Sequence, residues 1–106
     1  MHVSREGDLV TVINVFETKP EQQQEVIDQW IRFVEAVTDE PGMIGAALHR
    51  STAGTRVVNY AQWRSEEDIE NFVQKYREQM EARRPLAERV DPHLYEVVYL
   101  SEWRGS

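Results

Sequence analysis

The sequence contains no cysteine, and three of its 106 residues are histidine. The absence of cysteine excludes disulfide bonds, thiolate catalysis and metal sites that need a sulfur ligand. The histidines, His2, His49 and His93, do not have the spacing of a metal-binding motif. We therefore predict no metal site.

Long apolar runs and an excess of basic residues are also absent. Without such a run, no segment is predicted to span a membrane. The chain has 12 Lys and Arg against 19 Asp and Glu, a net charge of −7, whereas nucleic-acid-binding modules usually present a basic face. We therefore predict neither nucleic-acid nor membrane partners. Residues 1–8 lack the apolar stretch of a signal peptide, and we expect a cytoplasmic protein.

The composition is that of an ordinary globular domain, with 41% hydrophobic and 29% charged residues. A chain of this length buries about two-thirds of its unfolded surface, which is enough for one core. We predict a single domain over residues 1–106, with residues 1–8 as a flexible N-terminal segment and residues 101–106 as a C-terminal tail.

Alternating periodicities predict the order βαββαβ. β-Branched residues favour strands, whereas apolar residues at helical spacing favour helices. This order implies a ferredoxin-like α+β fold, a four-stranded antiparallel sheet with both helices on one face. The predicted strands are residues 9–16, the two arms of a hairpin around residues 52–54, and residues 94–100; the helices lie in residues 18–38 and 65–84.

Each helix has a predicted start signal. Thr18 with Glu21 reads as a capping box, and Ser65 is a second N-cap, followed by acidic residues in the first turn. Pro85 is expected to end or kink the second helix.

The hairpin predicts a cavity. A three-residue loop at 52–54 would place Ser51 opposite Thr55. Asn59 and Trp63 would then share the helix-covered face, opposite small residues that leave the sheet hollow. The cross-strand partners predicted by this register are His49 with Val57, Ala47 with Asn59, Gly45 with Ala61 and Met43 with Trp63.

The other face of the sheet is predicted to be apolar and uncovered. A monomer rarely leaves such a patch in water, so we predict a homodimer in which two sheets pack face to face. The hairpin residues assigned to this open face are Ile44, Ala46, Leu48, Val58, Tyr60 and Gln62.

Asn14 and Asn59 are the most suggestive polar residues, because each lies among apolar neighbours on the predicted cavity face. Each amide must bond either the backbone or a ligand. Trp63 is similarly open to two interpretations: a core aromatic, or an indole on which a planar ligand stacks.

Two further residues have alternative interpretations. His49, predicted on the cavity face, is either a general base or a partly exposed strand histidine. Arg83, near the end of the second helix, either interacts with the helix dipole or reaches an anionic group at the cavity mouth.

The segment from His49 to Trp63 resembles the signature of the antibiotic biosynthesis monooxygenases, which are dimeric α+β barrel proteins. The branch it resembles oxidises anthrone-type or phenolic rings of aromatic polyketides to quinones with molecular oxygen, without flavin, haem or metal. The resemblance implies that Asn14, Asn59 and Trp63 hold the substrate oxygens and stabilise its anion. Further substrate-binding residues are then expected at Phe16, Met43, His49, Phe72, Tyr76 and Arg83.

Haem-degrading relatives carry an iron-ligating helix histidine, and residues 65–84 contain none, so haem is disfavoured. The resemblance implies that the enzyme needs no cofactor, with molecular oxygen as its co-substrate. Two alternatives remain on this fold. A non-oxidative polyketide cyclase would need the same pocket but no oxygen, and a small-ligand-binding dimer would need no catalysis.

Overall fold

The computed structural model describes residues 9–83 and 87–101. The predicted flexible segment 1–8 and residues 102–106 of the predicted tail lie outside these described residues. A single 3₁₀ turn, Pro20–Gln22, precedes the first helix. The elements in chain order are β1 Val10–Glu17, α1 Gln23–Ala36, β2 Met43–Arg50, β3 Arg56–Trp63, α2 Glu66–Lys75, α3 Arg77–Arg83 and β4 Arg89–Tyr95.

The four strands form one antiparallel sheet in the order β2-β3-β1-β4. The helices pack on one face of this sheet, as the clusters below show. The predicted ferredoxin-like α+β fold is therefore confirmed. No helix within the described ranges is long and apolar enough to cross a membrane.

Two separate hydrophobic clusters hold the helices on the sheet. Under α1, Ile27 packs with Phe16 and Val57. Under α2, Ile69 packs with Ala61 and Trp63. Since side chains alternate along a strand, the strand residues of both clusters lie on the same face, at different positions along β1 and β3.

The hairpin register differs from the prediction by one residue over most of its length. Asn59 pairs with Leu48 and Val58 with His49. The only predicted pair that survives is Met43 with Trp63, because an irregularity between Met43 and Gly45 absorbs the shift. Because a one-residue slip exchanges the faces, Ala46 and Leu48 face the helices, and the open face instead carries Gly45, Ala47 and His49.

The two predicted helix starts have different outcomes. Ser65 caps α2 as predicted, with its hydroxyl accepting a hydrogen bond from the Asp68 backbone N–H at 3.1 Å. The capping box at Thr18 is wrong: the residue before the 3₁₀ turn is Lys19, which makes no side-chain cap. The Thr18 hydroxyl is instead buried without a hydrogen-bond partner. The helical segment after Ser65 also divides at Tyr76 into α2 and α3.

The last strand is nearer the N-terminus than predicted, at Arg89–Tyr95 instead of residues 94–100. The predicted strand began only after Pro92. However, β4 is an edge strand, where a proline without an N–H can be accommodated. The shift matters for the site because it places Pro92 beside Asn14 in the sheet.

Candidate functional site

Two asparagines lie side by side at the centre of the helix-covered face. Asn14 of β1 pairs directly with Asn59 of β3, and this row continues to Leu48 on one side and Pro92 on the other. Along the two central strands, the row lies between the Phe16–Val57 pair of one cluster and the Val12–Ala61 pair of the other. The two amides therefore occupy the gap between the two packed clusters.

A cavity of about 310 Å³ opens over this row. Its volume is at the lower end of the range found for small-molecule sites. The sheet, the helices and the segment leading into β4 all contribute to a mainly apolar wall. The lining residues are Val12, Asn14, Phe16, Val26, Gln29, Trp30, Phe33, Val34, Val37, Met43, Ala46, Asn59, Ala61, Trp63, Ile69, Phe72, Val73, Met80, Glu81, Ala87, Val90 and Pro92.

Small residues leave room in the sheet, as predicted, although they are different residues. The predicted ones, Gly45 and Ala47, pair with Gln62 and Tyr60 on the opposite face. The cavity face instead carries the directly paired Ala46 and Ala61. The predicted cavity is present, but the predicted register does not explain it.

Aromatic rings connect the two clusters around the cavity. Phe16 and Trp30 meet with ring centroids 5.1 Å apart, and Trp30 and Phe33 with centroids 5.3 Å apart. At the α2 end, Phe72 lies 4.9 Å from Trp63 and 6.0 Å from Phe33. All five rings line the cavity, so a planar apolar ligand would meet aromatic surface on several sides.

Unpaired buried polar atoms are concentrated at this cavity. Within the described ranges, six buried side-chain polar atoms have no hydrogen-bond partner, and four of them belong to cavity-lining residues. Leaving such a group unpaired costs about 1–3 kcal/mol. Because native proteins contain few such groups, four of them at one cavity need an explanation. The four atoms are Asn14 Oδ1, Asn59 Oδ1, Gln29 Oε1 and Trp30 Nε1.

The structure brings most of the predicted site residues together. Asn14, Asn59 and Trp63 line one cavity, and three of the predicted substrate-binding residues line it with them. Their roles remain predictions. The three further residues are Phe16, Met43 and Phe72.

Two predicted site residues are placed differently, and a third cannot be compared with its prediction because its side chain is not described. His49 pairs with Val58 on the opposite face and is exposed; its predicted position in the cavity is wrong because the register shift exchanges its face. Tyr76 does not line the cavity but packs behind it, 4.9 Å from Phe72. Arg83 ends α3, and its side chain lies outside the described part of the structure.

Tyr76 belongs to a polar cluster that joins α2 to the turn before β2. The Glu40 carboxylate accepts hydrogen bonds from the Tyr76 hydroxyl and from Lys75 Nζ, the latter at 2.8 Å. The hydrogen bond from Lys75, followed by that from Tyr76, lowers the pKa of Glu40. The same carboxylate raises the pKa of Lys75 and of Tyr76.

Sequence reasoning missed two site residues on α1 and the contribution of the last strand. Neither Gln29 nor Trp30 was among the predicted site residues, yet both line the cavity. A glutamine next to the apolar stripe was the available signal. Pro92 and its neighbours were missed because the last strand was predicted too late in the chain.

Comparisons with known proteins identify the family of this chain. The model of the family "Antibiotic biosynthesis monooxygenase" matches residues 9–84. The chain belongs to this family. The resemblance seen in the hairpin is thereby confirmed.

Known members of the antibiotic biosynthesis monooxygenase family are similar to this chain in sequence and structure. The tetracenomycin-F1 monooxygenase of Streptomyces glaucescens is 45% identical over 68 residues, which cover 63% of this chain and 61% of the relative. The match thus spans less than two-thirds of that enzyme.

Two solved structures share the fold. The ActVA-Orf6 monooxygenase of Streptomyces coelicolor, in complex with nanaomycin D, superposes with a TM-score of 0.75 and 28% identity, covering 90% of this chain and 91% of that one. An anthrone oxidase-like protein gives a TM-score of 0.82 and 26% identity, covering 92% of this chain and 42% of that one.

Proposed function

We propose that the protein is a monooxygenase that oxidises an anthrone-like or phenolic polycyclic aromatic polyketide to a quinone, with molecular oxygen and no cofactor. The observation that carries this proposal is the adjacent pair Asn14 and Asn59 inside an aromatic-lined cavity, each with a buried Oδ1 atom that has no hydrogen-bond partner. The similarity to a tetracenomycin-F1 monooxygenase and to an anthrone oxidase-like protein supports the same substrate class.

The proposed reaction balances without an external reductant. The substrate loses a proton, and the resulting anion gives one electron to oxygen. The substrate radical and superoxide then combine to a peroxide. Loss of water from the protonated peroxide leaves one oxygen atom as the new quinone carbonyl, while the other leaves in the water. Both electron pairs needed to reduce oxygen come from the substrate itself, so no external reductant is required.

Neutral dipoles dominate the cavity. Among the lining residues that the structure describes, Glu81 is the only one with an ordinarily titratable side chain, and it is exposed. Stabilisation of the substrate anion therefore falls to amide and indole N–H groups, which are held by the fold before the charge develops. Such preorganised donors, in a mainly apolar cavity, stabilise a developing oxyanion more strongly than the same groups in bulk water.

We also propose that the protein works as a homodimer through the open face of the sheet. Ile13, Val15, Val58 and Tyr60 give this face an apolar centre, which favours burial against a second copy. Light scattering coupled to size exclusion tests this, and a monomer at micromolar concentration would contradict it.

Oxygen consumption with anthrone tests the proposed activity. We expect uptake above the rate without protein, formation of anthraquinone, and incorporation of one labelled atom from ¹⁸O₂ per product molecule. Conversion of a polyketide substrate without oxygen uptake would indicate the cyclase instead, and binding without any conversion would indicate the ligand-binding dimer.

Substitution of Asn59 tests the assigned site. We expect Asn59→Ala to lower kcat by about 10²-fold to 10³-fold, as removal of an oxyanion-stabilising donor does elsewhere. Thr18→Val is the matched control, because it removes another buried, unpaired polar atom, outside the cavity. Equal activity of the Asn59 variant and the control would refute the assignment.

A further inference from the structure

The cavity has a second polar side, on helix α1, to which the proposed roles of Asn14 and Asn59 assign nothing. Gln29 and Trp30 are adjacent in α1, and both line the cavity. Gln29 Oε1 is an acceptor and Trp30 Nε1 a donor, and both atoms are buried without a partner. An acceptor and a donor on the same cavity wall are complementary to a ligand that carries a hydroxyl and a carbonyl.

Ring packing holds Trp30 in place. The Trp30 indole contacts the rings of both Phe16 and Phe33, at interplanar angles of 60° and 41°. Phe16 lies two residues after Asn14 on the same face of β1. The α1 pair therefore belongs to the helical wall above the strand that carries Asn14, so the cavity has unpaired polar atoms on both its sheet wall and its helix wall.

A purely structural role does not account for the unpaired oxygen of Gln29. Six residues earlier in the chain, the side chain of Gln23 is also buried, yet its Nε2 donates to the carbonyl oxygens of Ser51 and Arg56 at 3.2 and 2.9 Å. Helix α1 can thus satisfy a buried glutamine amide. At Gln29 the oxygen remains unpaired, where methionine or leucine would fill the same space without desolvation cost.

We propose that Gln29 and Trp30 bind the substrate edge that faces α1, while Asn14 and Asn59 bind the edge that faces the sheet. This inference rests on the proposed function and narrows its substrate class. Hydrogen-bonding substituents lie in the plane of an aromatic system, so the substrate stands with one edge toward each wall. It carries oxygen substituents at both edges: a phenolic hydroxyl donates to Gln29 Oε1, and a carbonyl oxygen accepts from Trp30 Nε1.

Calorimetric binding of two quinones tests the role of Gln29. One probe is an anthraquinone with a phenolic hydroxyl on each outer ring, and the other has a hydroxyl on one outer ring only. We expect Gln29→Met to weaken binding of the two-hydroxyl probe about 5-fold to 10-fold, the value of one hydrogen bond. Binding of the one-hydroxyl probe should change less than about 2-fold, since it can turn and place its hydroxyl against the sheet.

The control is Gln24→Met, on the exposed side of the same helix, which should leave the binding of both probes unchanged. Equal weakening of both probes by Gln29→Met, or no weakening of either, would overturn the role of Gln29. A wild-type protein that bound neither probe would overturn the whole proposal.

For Trp30, the probes are anthraquinone, with a carbonyl at each edge, and anthrone, with one, both under nitrogen. Trp30→Phe keeps the aromatic packing and removes the N–H. It should therefore weaken the binding of anthraquinone more than the binding of anthrone. Equal effects on the two would overturn the role of Trp30. These binding measurements do not require turnover. A protein that showed this binding pattern but consumed no oxygen would refute the proposed function, whereas the assignment of Gln29 and Trp30 to ligand binding would hold.

Discussion

The helix-covered face of the sheet is built in two ways. At the α1 end, Ile27 and Val57 are packed into a closed cluster, and at the α2 end Ile69 packs against Trp63. Between them the row of Asn14 and Asn59 faces a cavity, with amide oxygens that have no partners. The packed ends stabilise the fold, whereas the unpaired oxygens of the central row lower its stability. On the proposed function, stability and ligand binding therefore depend on different rows of one sheet face.

The same contrast recurs within a single helix. Gln23 and Gln29 both lie in α1, but Gln23 fastens the helix to the hairpin through two carbonyl oxygens, while Gln29 Oε1 is unpaired at the cavity. Identical side chains therefore have opposite expected effects on folding, because one makes hydrogen bonds within the protein, whereas the oxygen of the other has no partner there.

The largest expected effect on the free energy of unfolding is the difference between a variant at a packed end and a variant in the central row. Ile27→Ala should lower the free energy of unfolding by about 3 kcal/mol, through lost burial and the space left behind. Asn59→Leu should raise it by about 1 kcal/mol, because it removes an unpaired polar group beside a cavity with room for the new side chain. Urea denaturation measures both. A loss of similar size in the two variants would mean that the Asn59 amide is part of the structural core.

The two glutamines give the next largest effect. Gln23→Met should lower the free energy of unfolding by about 1–3 kcal/mol, because it removes both bonds to the hairpin. Gln29→Met should change it by less than about 0.5 kcal/mol or increase it. Thermal and urea unfolding of the matched pair check this; a destabilised Gln29 variant would contradict the division between paired and unpaired glutamines.

The fold was predictable from the sequence to the extent that the local signals were unambiguous. Alternation along β1 correctly placed Asn14 and Phe16 on the helix-covered face, and the Ser65 cap began α2 as predicted. These features depend on residues close in sequence. They were sufficient to predict the order of elements and the face of Asn14, whereas the cavity was predicted from a hairpin register that the structure does not show.

The errors came from features that local signals do not determine. The irregularity between Met43 and Gly45 lets the strands shift by one residue, and that shift removed His49 from the cavity face. The position of β4 depended on its being an edge strand that tolerates Pro92. Gln29 was missed because helical spacing alone does not distinguish a solvent-facing position from one beside a cavity. All three depend on tertiary contacts.

The smallest expected effect concerns the polar cluster of Glu40, Lys75 and Tyr76, which fastens the α2 end. The pKa of Glu40 is below its ordinary value of 4.5, so its contribution to stability is fully present above that pH and is lost as the pH falls through the lowered pKa. The pKa values of Lys75 and Tyr76 lie above 10.5 and 10.0, so their contributions are lost as the pH rises through those raised values.

We therefore compare wild type with Glu40→Gln, which keeps an acceptor for Tyr76 but removes the charge. The difference between their free energies of unfolding should be largest from about pH 5 to about pH 10 and shrink on either side. It should be small throughout, because the Lys75 side chain is 60% exposed and water screens the pair. Urea denaturation across this pH range measures it. A difference that grew below pH 4 would show that the charge on Glu40 does not fasten this end of the helical layer.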